Sequence, residues 1–179
     1  LAYTIGDAHG KGLFLNPSLI TALLEHGTYP VDYMDDKRPL LTEATDNNQI
    51  AVVKVLLEHH FDPNVRSHNG RTPIFGANYD SALLLLKYGA DANRQDEDGM
   101  TPLMLSENIK VDQLLIDHKA DVNAQNNEGK TVLFYVPYND SGVDILRFLL
   151  QHGAKVSIKD KKDKTVLDYT RDYISVQPR

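Results

Sequence analysis

One five-residue phrase recurs along the chain, and it constrains the fold more than any bulk property. It reads Leu23-Leu24-Glu25-His26-Gly27, then Leu56-Leu57-Glu58-His59-His60, Leu85-Leu86-Lys87-Tyr88-Gly89, Leu115-Ile116-Asp117-His118-Lys119 and Leu149-Leu150-Gln151-His152-Gly153. Four copies run on into a shared ending: Phe61-Asp62-Pro63-Asn64, Ala90-Asp91-Ala92-Asn93, Ala120-Asp121-Val122-Asn123 and Ala154-Lys155-Val156-Ser157. A second phrase follows each of these: Thr72-Pro73-Ile74, Thr101-Pro102-Leu103, Thr131-Val132-Leu133 and Thr165-Val166-Leu167, with Arg38-Pro39-Leu40 as a worn earlier copy. The starts of these copies are separated by 34, 29, 30 and 34 residues. Self-similarity at that period marks a solenoid or an array of small units.

Local chemistry says what each unit is. Thr72 and Thr101 stand before proline, as an N-cap stands before Pro at the first helical position. Val52, Val53, Leu56 and Leu57 fall at helical spacing and give one apolar face. Gly27, Gly89 and Gly153 sit where a helix should stop, and glycine tolerates the left-handed conformation required there. Asn69-Gly70, Asp98-Gly99 and Glu128-Gly129 read as tight turns. Asn16-Pro17 reads as the start of an outer helix. A lone helix pair cannot bury its apolar face, whereas stacked neighbours can.

These phrases resemble the ankyrin repeat: a glycine turn, Thr-Pro-Leu-His, an inner helix, a leucine-rich outer helix, then Gly-Ala-Asp-Val-Asn. The resemblance runs over roughly residues 13 to 173 and implies an all-α solenoid of stacked helix-turn-helix units with β-turn fingers, about five to six repeats including caps. The chain then divides into a partial repeat at 1–32, repeats at 33–66, 67–95, 96–125 and 126–159, and a C-terminal cap at 160–179. Residues 1 to 12, with Gly6, Gly10 and Gly12, read either as a degraded inner helix or as the end of a linker. The family histidine is replaced by Leu41, Phe75, Met104 and Phe134, which predicts a more apolar seam. The family's Gly-His between helices is absent, with Asn48-Gln49 and Ser141-Gly142 in its place in two repeats. The two middle repeats are shorter between their helices by about four and three residues, which predicts a local bend.

Composition excludes several classes of function. There is no cysteine, hence no disulfide framework and no thiolate metal site. The formal net charge of −6 disfavours non-specific attraction to nucleic acid or anionic lipid. No apolar run approaches the ~20 residues that span a bilayer, and no signal peptide is visible. The chain begins at Leu1 rather than methionine, as a fragment or a processed product would. His26, His59, His118 and His152 recur one per repeat, so a structural role is expected rather than a shared metal. No nucleophile motif, phosphate loop or dinucleotide fingerprint is present. The expectation is a chain without cofactor, metal or catalytic residues.

The resemblance places function on the turn tips and the exposed inner-helix face. Carried over position by position, the candidate partner-binding residues are Tyr33, Met34 and Asp35, then His68, Asn69 and Arg71, then Glu97, Asp98 and Met100, then Asn127, Glu128 and Lys130, then Tyr138, and finally Lys161 and Lys162. Asp96, Glu97 and Asp98 predict one acidic tip; Lys159, Lys161, Lys162 and Lys164 predict a basic one. Tyr33, Met34, Met100, Tyr135 and Tyr138 are the candidate anchors. The partner implied is another protein bound by a monomeric, cytoplasmic module. The worn repeats are also similar to ankyrin domains of secreted bacterial effectors. Among these, an OspC-type ADP-riboxanase implies capture of a host caspase, in the host cytosol, for a catalytic domain preceding Leu1.

Overall fold

The structure, a computed structural model, describes residues 16–26, 38–137 and 140–170. Helix α1 spans Pro17–Glu25, α2 Leu40–Asp46, α3 Ile50–Glu58, α4 Tyr79–Lys87, α5 Pro102–Leu105, α6 Ile109–Asp117 and α7 Asp140–Gln151. Two 3-10 turns, Pro73–Gly76 and Val132–Phe134, stand where further inner helices belong. A further helix begins at 166, and among the described residues there is no strand.

The elements form two layers. In the inner layer α2 packs on the turn Pro73–Gly76, that turn on α5, and α5 on the turn Val132–Phe134. In the outer layer α1 packs on α3, α3 on α4, and α4 on α6. Leu41, Leu56, Leu57, Leu85, Leu103, Leu115 and Leu149 fill the space between layers and are almost wholly buried. Each such leucine contributes about 1.5–3 kcal/mol through the apolar area it removes from water.

The inner elements shrink for readable reasons. Ala77 and Ser106 are extended, at φ −67, ψ 131 and φ −78, ψ 136, so the inner helix stops there. Asn78 and Asn108 then open the next helix at once, with Oδ1 accepting from Ser81 N and Lys110 N, both at 2.9 Å. Asn16 Oδ1 accepts likewise from Ser18 N at the start of α1. After Val132–Phe134, the residue before Pro137 is pushed away from helical geometry.

Two expectations hold, each with a difference of detail. Thr72, Thr101 and Thr131 have the extended backbone of an N-cap, but none makes a side-chain cap bond. The hydroxyls of Thr72 and Thr131 are buried without a partner, so these threonines cap by backbone shape alone. Glycine is also not the rule at helix exits. Gly89 and Gly153 are left-handed, at φ 92 and 89, yet His60 and Lys119 take the same conformation at φ 64 and 69. Gly27 lies outside the described residues. The seam left by the missing family histidine is apolar: Leu41 and Met104 are buried, and Phe75 and Phe134 half-buried.

Candidate interaction surface on the finger row

Each finger is a narrow hairpin closed by two backbone bonds. Ser67 N donates to Arg71 O and Gly70 N to Ser67 O, both at 2.9 Å. Asp96 with Met100, Asn126 with Lys130 and Asp160 with Lys164 repeat the first bond at 2.9–3.0 Å. The turn residue is left-handed every time: Gly70, Gly99 and Gly129 at φ 77, 75 and 78, and Asp163 at φ 59. Successive fingers are also joined. Glu97 N donates to Asn69 O at 3.1 Å, Asn127 N to Asp98 O at 2.9 Å, and Lys161 N to Glu128 O at 2.8 Å. A Cβ on Gly99 would stand 2.7 Å from Asn127 N, and one on Gly129 2.9 Å from Lys161 N, so the next finger needs these glycines for its approach.

One polar side chain at the base holds each of the last three described fingers. Asp96 Oδ1 accepts from Asp98 N and Met100 N at 3.0 and 2.9 Å. Asn126 Oδ1 accepts from Glu128 N and Lys130 N, and Asp160 Oδ1 from Lys162 N and Lys164 N. The other end of each group reaches a neighbour. Arg71 Nε donates to Asp96 Oδ2 at 3.0 Å, and Tyr169 OH to Asp160 Oδ2 at 2.6 Å. Asn126 Nδ2 donates to Tyr135 OH at 2.6 Å and approaches Met100 Sδ at 3.2 Å. The tyrosine hydroxyl that bonds Asp160 holds that carboxyl below the usual range, and the bond in turn raises Tyr169. Asp96 is therefore a buried bracket of the finger rather than part of an acidic tip.

Met100 is corrected as well. It is buried beneath the next finger, not displayed as an anchor. Its counterparts Arg71, Lys130 and Lys164 are half-buried at the same place. Arg71 pairs with Asp96 and lies over the Phe75 ring at 5.9 Å. Lys130 pairs with Glu128 at 2.5 Å, and Lys130 and Lys164 approach the Tyr169 ring at 6.0 and 5.4 Å. The Lys130 bond depresses the Glu128 pKa and raises that of Lys130. Lys159 is paired with Asp163 at 2.8 Å.

His68, Glu97, Asp98, Asn127, Glu128, Lys161 and Lys162 are exposed, in that order along the row; Asn69 is half-buried, held by Ser67 Oγ at 2.6 Å. Tyr135 exposes part of its ring, and burial of the rest pushes its hydroxyl pKa up. Tyr33, Met34, Asp35 and Tyr138 lie outside the described residues. The acidic-to-basic gradient thus reduces to Glu97 and Asp98 at one tip and Lys161 and Lys162 at another.

Two of the repeated histidines serve helix ends: His118 Nδ1 donates to Leu114 O at 2.8 Å and His152 Nδ1 to Phe148 O at 2.7 Å. No group of three or more His, Cys, Asp or Glu among the described residues is placed to hold a metal ion. No described helix is long and apolar enough to cross a membrane. An asparagine ladder escaped the sequence reading. Asn64, Asn93 and Asn123 each donate to a carbonyl at the next helix exit, on Gly89, Lys119 and Gly153, at 2.8–3.0 Å. Each accepts in return from Asp91 N, Asp121 N or Lys155 N at 2.7–2.9 Å. The signal was present, since an asparagine closes three of the four shared endings.

A two-layer helical stack with a bonded row of β-turn fingers defines a class, the repeat solenoid. Comparison with known proteins narrows it. Residues 74–160 match the family model for ankyrin repeats (3 copies). The chain is 32% identical over 88 residues to an ankyrin repeat-containing protein of Schizosaccharomyces pombe, which covers 47% of the chain and 42% of that protein. It is 33% identical over 87 residues to an ankyrin repeat protein of fowlpox virus, covering 42% of the chain and 26% of the viral protein. The chain therefore spans less than half the length of these curated relatives. The crystal structure of EF0377, an ankyrin repeat protein, superposes with a TM-score of 0.81 at 26% identity, covering 88% of this chain and 86% of that one. The fold is an ankyrin-repeat solenoid, and residues 74–160 match the ankyrin-repeat family model.

Proposed function

We propose that the chain is a protein-binding module whose contact row is the exposed part of the fingers: His68, Glu97, Asp98, Asn127, Glu128, Lys161 and Lys162. Ankyrin repeats generally serve as protein–protein interaction modules. The observation that carries the reading is the backbone ladder from Asn69 to Lys161, which fixes the fingers in register while these side chains stay exposed. A row already ordered loses little conformational entropy on binding. Its two ends carry opposite charge, which orients an incoming partner and speeds encounter. The partner segment favoured is basic where it meets Glu97 and Asp98, and acidic where it meets Lys161 and Lys162. The narrower expectation, capture of a host caspase for an effector enzyme, draws no support from these relatives and forms no part of the proposal.

The test is a variant with Glu97→Lys, Asp98→Lys, Lys161→Glu and Lys162→Glu, which leaves net charge unchanged. Proteins captured from a cell lysate by the natural chain should be lost by this variant, with thermal unfolding shifted by less than about 2 °C. Equal capture by both chains would overturn the assignment.

A further inference from the structure

The outer helices repeat one position three residues before each leucine phrase: Ile20, Val53, Ala82, Asp112 and Leu146. The first four are buried, at 2%, 0%, 0% and 1% exposure, while Leu146, on the last described outer helix, is 37% exposed. The position thus faces the following repeat. Four copies are apolar and one is a carboxylate. Asp112 Oδ1 is buried without a hydrogen-bond partner. Beside it lies a cavity of about 10 Å³ between two repeats, lined by Met104 and Ser106 on its own side and by Val132, Tyr135, Pro137 and Ile145 on the other. That is roughly room for one water. An ionised carboxylate removed from water and left unpaired is costly, whereas the neutral acid is tolerated.

We propose that Asp112 makes the joint between repeats 96–125 and 126–159 proton-linked: the joint closes when the carboxyl is neutral and opens more readily when it is ionised. Burial raises the Asp112 pKa from 3.8 to about 6, opposed in part by the nearby Ser106 hydroxyl. Of the titratable groups around it, only Tyr135 lines the same cavity. Glu107 and Lys110 on its own repeat, Asp80 on α4, and Asp144 and Arg147 on α7 are exposed. No charged neighbour contributes to the shift. The closed joint binds the extra proton. Its stabilisation is therefore complete below pH 3.8, is lost as pH rises through about 6, and changes little beyond. Between these limits the opening constant rises on the order of a hundredfold. Glu97 and Asp98 lie on one side of the joint and Lys161 and Lys162 on the other, so mild acid would couple the two ends of the finger row. That consequence rests on the proposed contact row; the joint itself does not.

Hydrogen exchange on the full chain between pH 4.5 and 7, corrected for intrinsic exchange chemistry, tests the joint. The opening constant of α7 amides is expected to rise about twentyfold over this interval, while α3 amides change far less. Asp112→Asn should abolish the rise; every other residue is common to both chains, so the comparison isolates this carboxyl. Asp112→Ala, which installs the residue found at Ala82, should also abolish it and protect α7 more strongly at pH 7; it decides the matter if the asparagine variant does not fold. Identical pH dependence in the natural chain and the variants would overturn the proposal. So would an equal rise in α3 and α7, which would place Asp112 in global stability rather than at a joint. Loss of partner capture by the tip variant with this pH dependence intact would support the contact row and leave the joint standing; retained capture would refute the row alone.

Discussion

Lys119 shows how little a repeat position needs a particular residue. Its φ of 69 is left-handed, where a Cβ normally costs energy, while Gly89 and Gly153 meet the same demand without that cost. Lys119→Gly should therefore raise stability by about 1 kcal/mol, offset in part by the greater freedom of glycine in the unfolded chain. Urea or thermal unfolding checks this, with a rise of about 2–4 °C expected for a chain of this size. The same reasoning made Met100 illegible. The sequence places it directly after the tip glycine, a position that reads as exposed. In space the finger curls back, and this position slides under its neighbour. Arg71, Lys130 and Lys164 keep a charged end near a partner there, whereas Met100 has only an apolar surface to bury.

At the scale of elements, the fingers and helix exits carry two separate ladders. Both depend on residues that a single repeat has no use for. Asn93 is the clearest case: its amide donates to Lys119 O and its oxygen accepts from Asp121 N, both in the next repeat. Asn93→Ala should cost roughly 1–2 kcal/mol, less than two buried bonds would, because the site is exposed. A fall in urea midpoint at unchanged slope would confirm it, and no fall would show that water replaces these bonds. Ser157 stands in the ladder's last place, where its shorter side chain ends the asparagine series. The helices were legible from leucine spacing and from Asn-Pro and Thr-Pro starts. The shortening of two inner elements was legible from the repeat spacing; where each one stops was not, because Ala77, Asn78, Ser106 and Asn108 turn extended only when the following helix is anchored by its own cap.

Across the whole molecule, contacts join each repeat to its neighbours, so charge along the row survives as a gradient rather than mixing. Reversing Lys161 and Lys162 to glutamate should slow association with a captured partner about tenfold at low salt, with the difference fading as ionic strength rises. Stopped-flow or surface-binding rates would show this, and a salt-independent loss would point instead to a packing contact. The helix pairs and the finger turns were determined by the sequence itself, because each depends on residues within about a dozen positions of one another, and the period shows in their plain recurrence. What lies over each copy of a repeated position was decided only by the tertiary structure. Asp96 and Asp98 are near neighbours in sequence, yet one braces a finger and the other faces solvent. Val53, Ala82 and Asp112 share one buried place, and its effect on a carboxylate becomes visible only with the next repeat laid against it. The covering residues stand some thirty positions further along the chain, beyond the reach of local pattern.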